Sequence, residues 1–309
     1  MRIVAIVPGG IEEQILLFPT LETLKKQYPS GAIDVIAPPS AKAAYRVCPH
    51  IHEVLTFDYR DSNGLADYLN LLGTIRDREY DAAILTEPRW DLELLLWLNG
   101  IPRRIGYQSQ LSWFLSHPVP RKKEQYAPYR YHDLVQGLDL VCRCPSLHLS
   151  LPKEDIDWVE AEQKRLDLKE SGYVLIYGGG AATYPADQWA KIIADMQQKQ
   201  PNLPVVLLQE AQEAQWLVEI QKSFPALKTL NPPDLGKLAA AIAGANLLVC
   251  TSGLPLTLAT AVGTYTVALL EPATALKFLP PTQERQVSVE ATVVAEIAPE
   301  AILAKIWSS

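Results

Sequence analysis

The chain has 309 residues, 48% of them hydrophobic and 20% charged, and a formal net charge of −7. That length exceeds the size at which a single core usually stops growing, so two domains are expected. The acidic balance excludes a nucleic-acid binder working through a basic face, since only Arg121-Lys122-Lys123 comes near one and it reads as a solvated loop.

The chain enters a strand at once. A strand is expected over 2–7, where Ile3–Val7 is an uninterrupted aliphatic run, the pattern of a parallel strand covered on both faces, with no sign of a secretory leader. The run closes on Pro8-Gly9-Gly10 and leads into a helix over 14–27. Strands are then expected over 32–36, 53–57, 81–86 and 104–106, alternating with helices over 40–46, 65–76, 92–98 and 131–140. Such alternation implies a parallel sheet with helical crossovers. The 107–128 stretch is long, aromatic and proline-punctuated, and is a candidate lining for an acceptor site.

Residues 145–152, flanked by proline, read as a linker. After a helix over 155–166 the alternation restarts, with strands over 173–177, 204–208, 246–250 and 264–269. Helices fit 186–198, 213–223, 235–243 and 254–262, and an amphipathic helix over 298–307 ends the chain. The expected domains are 1–150 and 151–309, with that last helix free to pack back on the first domain. A second glycine turn, Gly178-Gly179-Gly180, closes the strand over 173–177 and matches the first in placement. Two such units suggest two nucleotide-binding-type domains facing a cleft. Cys48, Cys142, Cys144 and Cys250 match no zinc spacing and point to a reduced, cytoplasmic compartment. No run is long enough to span a membrane.

Three places can carry chemistry. Glu12 and Glu13 follow Gly9-Gly10 in the first turn of a helix, where they either complement the helix dipole or supply a general base. Thr251-Ser252-Gly253-Leu254 leaves a strand and opens a small-residue helix, where hydroxyls and N–H groups either cap the helix or hold a phosphate. Glu210 and Glu213 lie just past a strand end, as a ribose-binding acid would, or as ordinary first-turn glutamates. No histidine pairs with a nucleophile, and Ser252 lacks the G-x-S-x-G elbow, so a hydrolase triad is not expected.

These motifs together resemble a known family. The opening RIVAIVPGGIEEQILLFPTL, the Arg104-Ile105-Gly106-Tyr107 segment, the glycine turn followed by Tyr184-Pro185-Ala186-Asp187-Gln188-Trp189, and the 251–272 run TSGLPLTLATAVGTYTVALLEP are similar, in order, to the bacterial ADP-heptose:lipopolysaccharide heptosyltransferases, glycosyltransferase family nine. The resemblance implies an α/β fold of GT-B architecture, two facing Rossmann-like domains with parallel sheets. It implies inverting, metal-independent transfer of a heptose-like sugar from a nucleoside diphosphate, ADP in the family's name, to a glycan or glycolipid acceptor of the lipopolysaccharide type. The co-substrate is that nucleotide-sugar, with no further cofactor. A monomer at the inner face of the membrane is the implied setting.

The family's catalytic aspartate aligns with Glu13. Gly9, Gly10, Glu12 and Tyr107 fall on the acceptor side; Gly179, Gly180, Thr183, Glu210, Glu213, Thr251, Ser252, Gly253 and Leu254 fall on the donor side. The chain also departs from the pattern. Gly-Asp has become Glu12-Glu13, Ala181-Ala182-Thr183 stands where members often carry a phosphate-facing lysine, and the Asp and His of the late block are replaced by hydroxyl residues. These losses raise a second reading, a catalytically impaired member acting as a binding or scaffold protein.

Overall fold

A computed structural model describes residues 1–59, 63–110, 112–122, 124–168, 172–179, 184–209, 215–281 and 285–308. The chain divides into two compact units, Met1–Leu147 and His148–Ser309, within the proline-flanked stretch read as a linker.

The first unit has strands β1 (Arg2–Ile6), β2 (Ala32–Ala37), β3 (Glu53–Thr56), β4 (Ala82–Leu85), β5 (Arg103–Tyr107) and β6 (His117–Val119). They form one parallel sheet in the order β3-β2-β1-β4-β5-β6. Helices α1 (Ile11–Leu16), α2 (Phe18–Gln27), α3 (Leu65–Arg76), α4 (Trp90–Leu98) and α5 (Ala127–Asp133) run between them, with a 3-10 segment at Pro39–Val47. The second unit has strands β7 (Val174–Tyr177), β8 (Val205–Leu208), β9 (Lys228–Leu230), β10 (Leu247–Cys250), β11 (Thr266–Leu270) and β12 (Gln286–Glu290). Their order is β12-β11-β10-β7-β8-β9, again all parallel. Its helices are α6 (Lys153–Arg165), α7 (Ala186–Lys199), α8 (Gln215–Ser223), α9 (Leu235–Ala243), α10 (Leu254–Val262), α11 (Pro272–Phe278) and α12 (Pro299–Trp307).

Numbered from its own first strand, each sheet runs 3-2-1-4-5-6, the doubly wound order in which the chain reverses direction between strands 1 and 4. The reversal falls between β1 and β4, where Ile6 pairs with Leu85, and between β7 and β10, where Tyr177 pairs with Cys250. Ligands of such sheets bind outside the strand carboxyl ends at this point. The strands flanking it are buried along their whole length apart from Arg2, because helices cover both faces.

The sequence pattern does not announce β6, β9 or β12. Each lies at a sheet edge, pairs on one side only and carries half-exposed residues, so none shows a continuous apolar run. Pro118 is tolerated in β6 for the same reason. The helix expected over 131–140 starts earlier, at Ala127 with Pro128 in its first turn, and tightens into a 3-10 turn over Leu134–Leu138. His132 is buried in it, with Nε2 3.0 Å from the Thr23 hydroxyl of α2. Ile302 and Ile306 of α12 are buried in the second unit's own core with Trp189, Ile193 and Val267.

Candidate functional site

In the first unit the site is built on the turn after β1. Gly10 caps α1 in an extended conformation, and no side chain caps that helix. Glu12 and Glu13 occupy its first turn and are half-buried. Gly9 is required here by close approach: a Cβ on it would lie 2.5 Å from Glu13 Cβ, so only glycine lets the Glu13 stem fold back over the turn. The Glu13 Oε2 atom lies 3.7 Å from where a Gly10 Cβ would stand. The turn itself is held by Gln14, which is fully buried. Its amide donates to the carbonyls of Val7 (3.0 Å) and Gly9 (2.6 Å), and its oxygen accepts from the Tyr45 hydroxyl (2.5 Å). A cavity of about 310 Å³ opens beside the turn, lined by Pro8, Gly10, Pro38, Ser40, Asp58 and Tyr59. These are the carboxyl ends of β1, β2 and β3, the place where the fold receives a ligand.

Three further residues, Glu87, Arg130 and Tyr131, are linked to Glu13 through the Tyr131 phenol. Glu87 lies just past β4, on the strand beside β1, where Thr86 donates its N–H and its hydroxyl to the Ile6 carbonyl, each at 3.2 Å. Tyr131 of α5 is buried. Burial pushes its phenol up, the Arg130 guanidinium opposes this, and the carboxylates of Glu13 and Glu87 add to the rise. Arg130 stands over the Tyr131 ring, 5.2 Å from the centroid. The unit therefore brings the carboxylates of Glu13 and Glu87 towards one buried phenol, Tyr131, with the Arg130 guanidinium beside its ring. Tyr107, expected on the acceptor side, is 1% exposed; burial pushes its phenol up, and its hydroxyl donates to the Arg130 carbonyl (2.7 Å).

In the second unit the site is built where β7 and β10 end. Thr251 is fully buried, and its hydroxyl donates to the Gly179 carbonyl, tying the two loops together; its N–H donates to the Tyr177 carbonyl at 3.1 Å. Gly253 caps α10 at φ +133°, a backbone that side-chain-bearing residues rarely adopt, and no side chain caps that helix. Pro255 has no N–H, and the Leu256 and Thr257 N–H groups donate to the Gly253 carbonyl (3.1 and 3.4 Å), so the first turn of α10 offers the Leu254 N–H, with Ser252, Gly253 and Leu254 half-exposed. Gly178 and Gly179 are forced by crowding. A Cβ on Gly178 would meet Trp189 Nε1 at 2.8 Å and Trp216 at 2.9 Å; one on Gly179 would meet the Tyr177 ring at 2.8 Å. The Trp189 N–H is buried and has no acceptor among the described residues. Gly180, Thr183, Glu210 and Glu213, expected on the donor side, lie outside the described residues.

The family model for glycosyltransferase family 9 (heptosyltransferase) matches residues 68–299 of this chain. The chain belongs to glycosyltransferase family 9. A family 9 relative, lipooligosaccharide heptosyltransferase 2 of Haemophilus ducreyi, is 22% identical over 197 residues, which cover 61% of this chain and 57% of that protein. A chloroplast protein of Arabidopsis thaliana, photosynthetic NDH subunit of subcomplex B 1, is 26% identical over 87 residues, 28% of this chain and 19% of its own length. These alignments span only part of each relative. The fold is shared over the whole chain with E. coli ADP-heptose lipopolysaccharide heptosyltransferase II, at a TM-score of 0.80 and 19% identity, covering 100% of this chain and 98% of that one.

Within this family 9 chain, Glu87, Arg130, Tyr131 and Gln14 are the residues that motif reading passes over. Only Glu87 carried a usable signal, since an acidic residue just past the strand beside β1 sits at the switch point. The others depend on which helix packs behind the turn. No helix among the described residues is long and apolar enough to cross a membrane.

Proposed function

We propose that this chain transfers a heptose-like sugar from a nucleoside-diphosphate donor to a glycan or glycolipid acceptor, with inversion at the anomeric carbon and without a metal ion. Glu13 removes the proton from an acceptor hydroxyl. The hydroxyl oxygen then bonds to the anomeric carbon as the bond from that carbon to the diphosphate oxygen breaks. The nucleoside diphosphate leaves with the bonding pair. The single observation that carries the reading is the placement of Glu13: a half-buried carboxylate at the carboxyl end of β1, held by Gly9 beside an open cavity, in a chain of this family.

The donor belongs to the second unit. Charge developing on the leaving diphosphate is met by amides of Ser252–Leu254 and the positive end of α10, which are oriented before the reaction. Gly179, Gly180 and Thr183 line the phosphate side, and Glu210 or Glu213 takes the ribose hydroxyls. Glu12 and Gly10 border the acceptor hydroxyl. The E. coli heptosyltransferase is named for ADP-heptose, which makes ADP the first nucleotide to test.

A second reading has its own support. The Arabidopsis relative is named as a subunit of a larger complex, and this chain carries alanines where a phosphate-facing lysine is common in the family. In that reading the fold is kept for binding and the chemistry is lost. Two measurements separate the readings. Calorimetry against ADP, UDP, GDP and CDP gives saturable binding of one nucleotide for a transferase and none for a scaffold. Glu13→Gln then lowers release of nucleoside diphosphate from ADP-heptose, in the presence of a lipid-linked saccharide, by about 10²–10⁴-fold. Donor affinity stays unchanged. Equal turnover in the variant would remove Glu13 from the mechanism.

A further inference from the structure

The first unit carries a second cavity that the glycine turn does not use. It is an open groove of about 700 Å³ between α3 and α4. Leu65, Leu69 and Leu72 line it from α3, and Trp90, Leu94 and Leu98 from α4. Both sets follow helical spacing, so each helix presents a full apolar stripe to the groove. Leu65, Leu69, Trp90 and Leu98 are additional to the core faces: Leu71 and Ile75 of α3 and Leu92, Leu95 and Leu96 of α4 are buried in the sheet's core, and Leu72 packs against it. Leu65 is 77% exposed, Leu69 56% and Trp90 57%. That much apolar surface gathered along one groove marks a binding site.

One end of the groove is polar and touches the candidate acceptor cavity. Arg89, a lining residue, makes a two-pronged ion pair with Asp91 (3.1 and 2.6 Å) and donates to the carbonyl of Tyr59 at 3.1 Å. Tyr59 in turn lines the cavity beside Gly10. Tyr68 completes the polar end, donating its hydroxyl to Asp91 at 2.8 Å. Burial pushes the Asp91 carboxyl up, but the hydrogen bonds from Arg89 and Tyr68 outweigh it and hold the group below its usual range. A ligand lying across both cavities meets hydroxyl-binding groups first, then a charged hinge at Arg89, then hydrocarbon.

We infer that the α3–α4 groove holds an alkyl or acyl chain of a lipid-linked acceptor whose saccharide end reaches the cavity beside Gly10. The assignment rests on the acceptor reading given above and narrows it: the acceptor is an amphiphile recognised through one hydrocarbon chain. The groove and the acceptor cavity are neighbours, with Arg89 of one bonded to Tyr59 of the other, and that adjacency selects this occupant. A groove of this volume is in the range of small-molecule sites, on the order of 300–1,000 Å³.

The test uses the full chain and a pair of bromine-tagged alkyl maltosides, hexyl and dodecyl, below their micellar concentrations, without donor. Bromine quenches tryptophan on contact, so Trp90 reports occupancy. Saturable quenching is expected, tightening about fourfold for each methylene added while the chain stays in the groove. Most of the quenching should vanish in Trp90→Phe. Leu69→Glu and Leu98→Glu, both at exposed positions, should each weaken binding at least tenfold. Leu276→Glu, exposed in the second unit, should leave it unchanged. No saturable quenching, equal affinity for the two chain lengths, or full binding by Leu69→Glu would overturn the assignment. So would capture by phosphatidylglycerol vesicles with no binding of the monomeric amphiphile. Because donor is absent, these outcomes are independent of the Glu13→Gln result, which bears on the transfer reading alone.

Discussion

Glu93 offers the sharpest test of how this fold treats a buried charge. It sits in the first turn of α4, 1% exposed, and its Oε2 atom has no hydrogen-bond partner among the described residues. Burial, with the nearby Asp91 charge, pushes its carboxyl up from 4.5 to about 7. The folded state therefore holds the Glu93 proton more tightly than the unfolded chain does. Its favourable contribution is complete below pH 4.5 and is lost as pH rises through about 7. At about 1.4 kcal/mol per unit, ionising Glu93 in the fold costs about 3 kcal/mol. Glu93→Gln keeps the shape and removes the charge. Its stability relative to the parent should grow by about 2.5 kcal/mol between pH 5 and pH 8. Equilibrium urea unfolding at the two pH values reads this directly. With a slope of roughly 1–3 kcal/mol per molar urea, the midpoint gap between variant and parent should widen by about 1 M or more. A gap of equal width at pH 5 and pH 8 would show that the carboxyl is not desolvated in the folded state.

Two other substitutions probe the glycine turns. Gln14→Leu removes the amide that holds the Val7 and Gly9 carbonyls and leaves the Tyr45 hydroxyl without its acceptor. It should destabilise the protein by about 1–3 kcal/mol for each group left unpaired, measured by thermal unfolding, while Gln14→Glu should rescue the contact to Tyr45 alone. Gly253→Ala places a methyl on a residue at φ +133°, with no atom closer than 3.9 Å to the new Cβ. The effect is therefore backbone strain and not crowding. A loss of about 1–3 kcal/mol in stability, together with weaker nucleotide binding by calorimetry, is expected. Unchanged affinity would mean that the α10 amides do not hold the diphosphate.

What reads directly from the sequence here is whatever depends on neighbours along the chain. The runs at 2–7 and 173–177 announce buried parallel strands because helices cover both faces, and their closing glycines mark sharp turns into helices. The order of such units implies a doubly wound sheet, and the family motifs follow the same local logic. Glu13 is visible as a candidate base for this reason: it follows Gly9-Gly10 in the first turn of a helix and aligns with a family motif.

Tertiary structure alone decided the rest, because the deciding contacts join residues far apart in the chain. Gln14 becomes a clamp only when Tyr45 packs beside it, and the Thr251 hydroxyl is committed to Gly179 only once β7 and β10 lie side by side. The Tyr107 hydroxyl meets the Arg130 carbonyl, 23 residues on, only once β5 and α5 pack together. Edge strands pair on one side and so leave a weak pattern. The apolar stripes of α3 and α4 show the same limit from the other side. Hydrophobic spacing reveals that a helix has an apolar face, but only packing distinguishes a face that meets the core from one that lines an open groove.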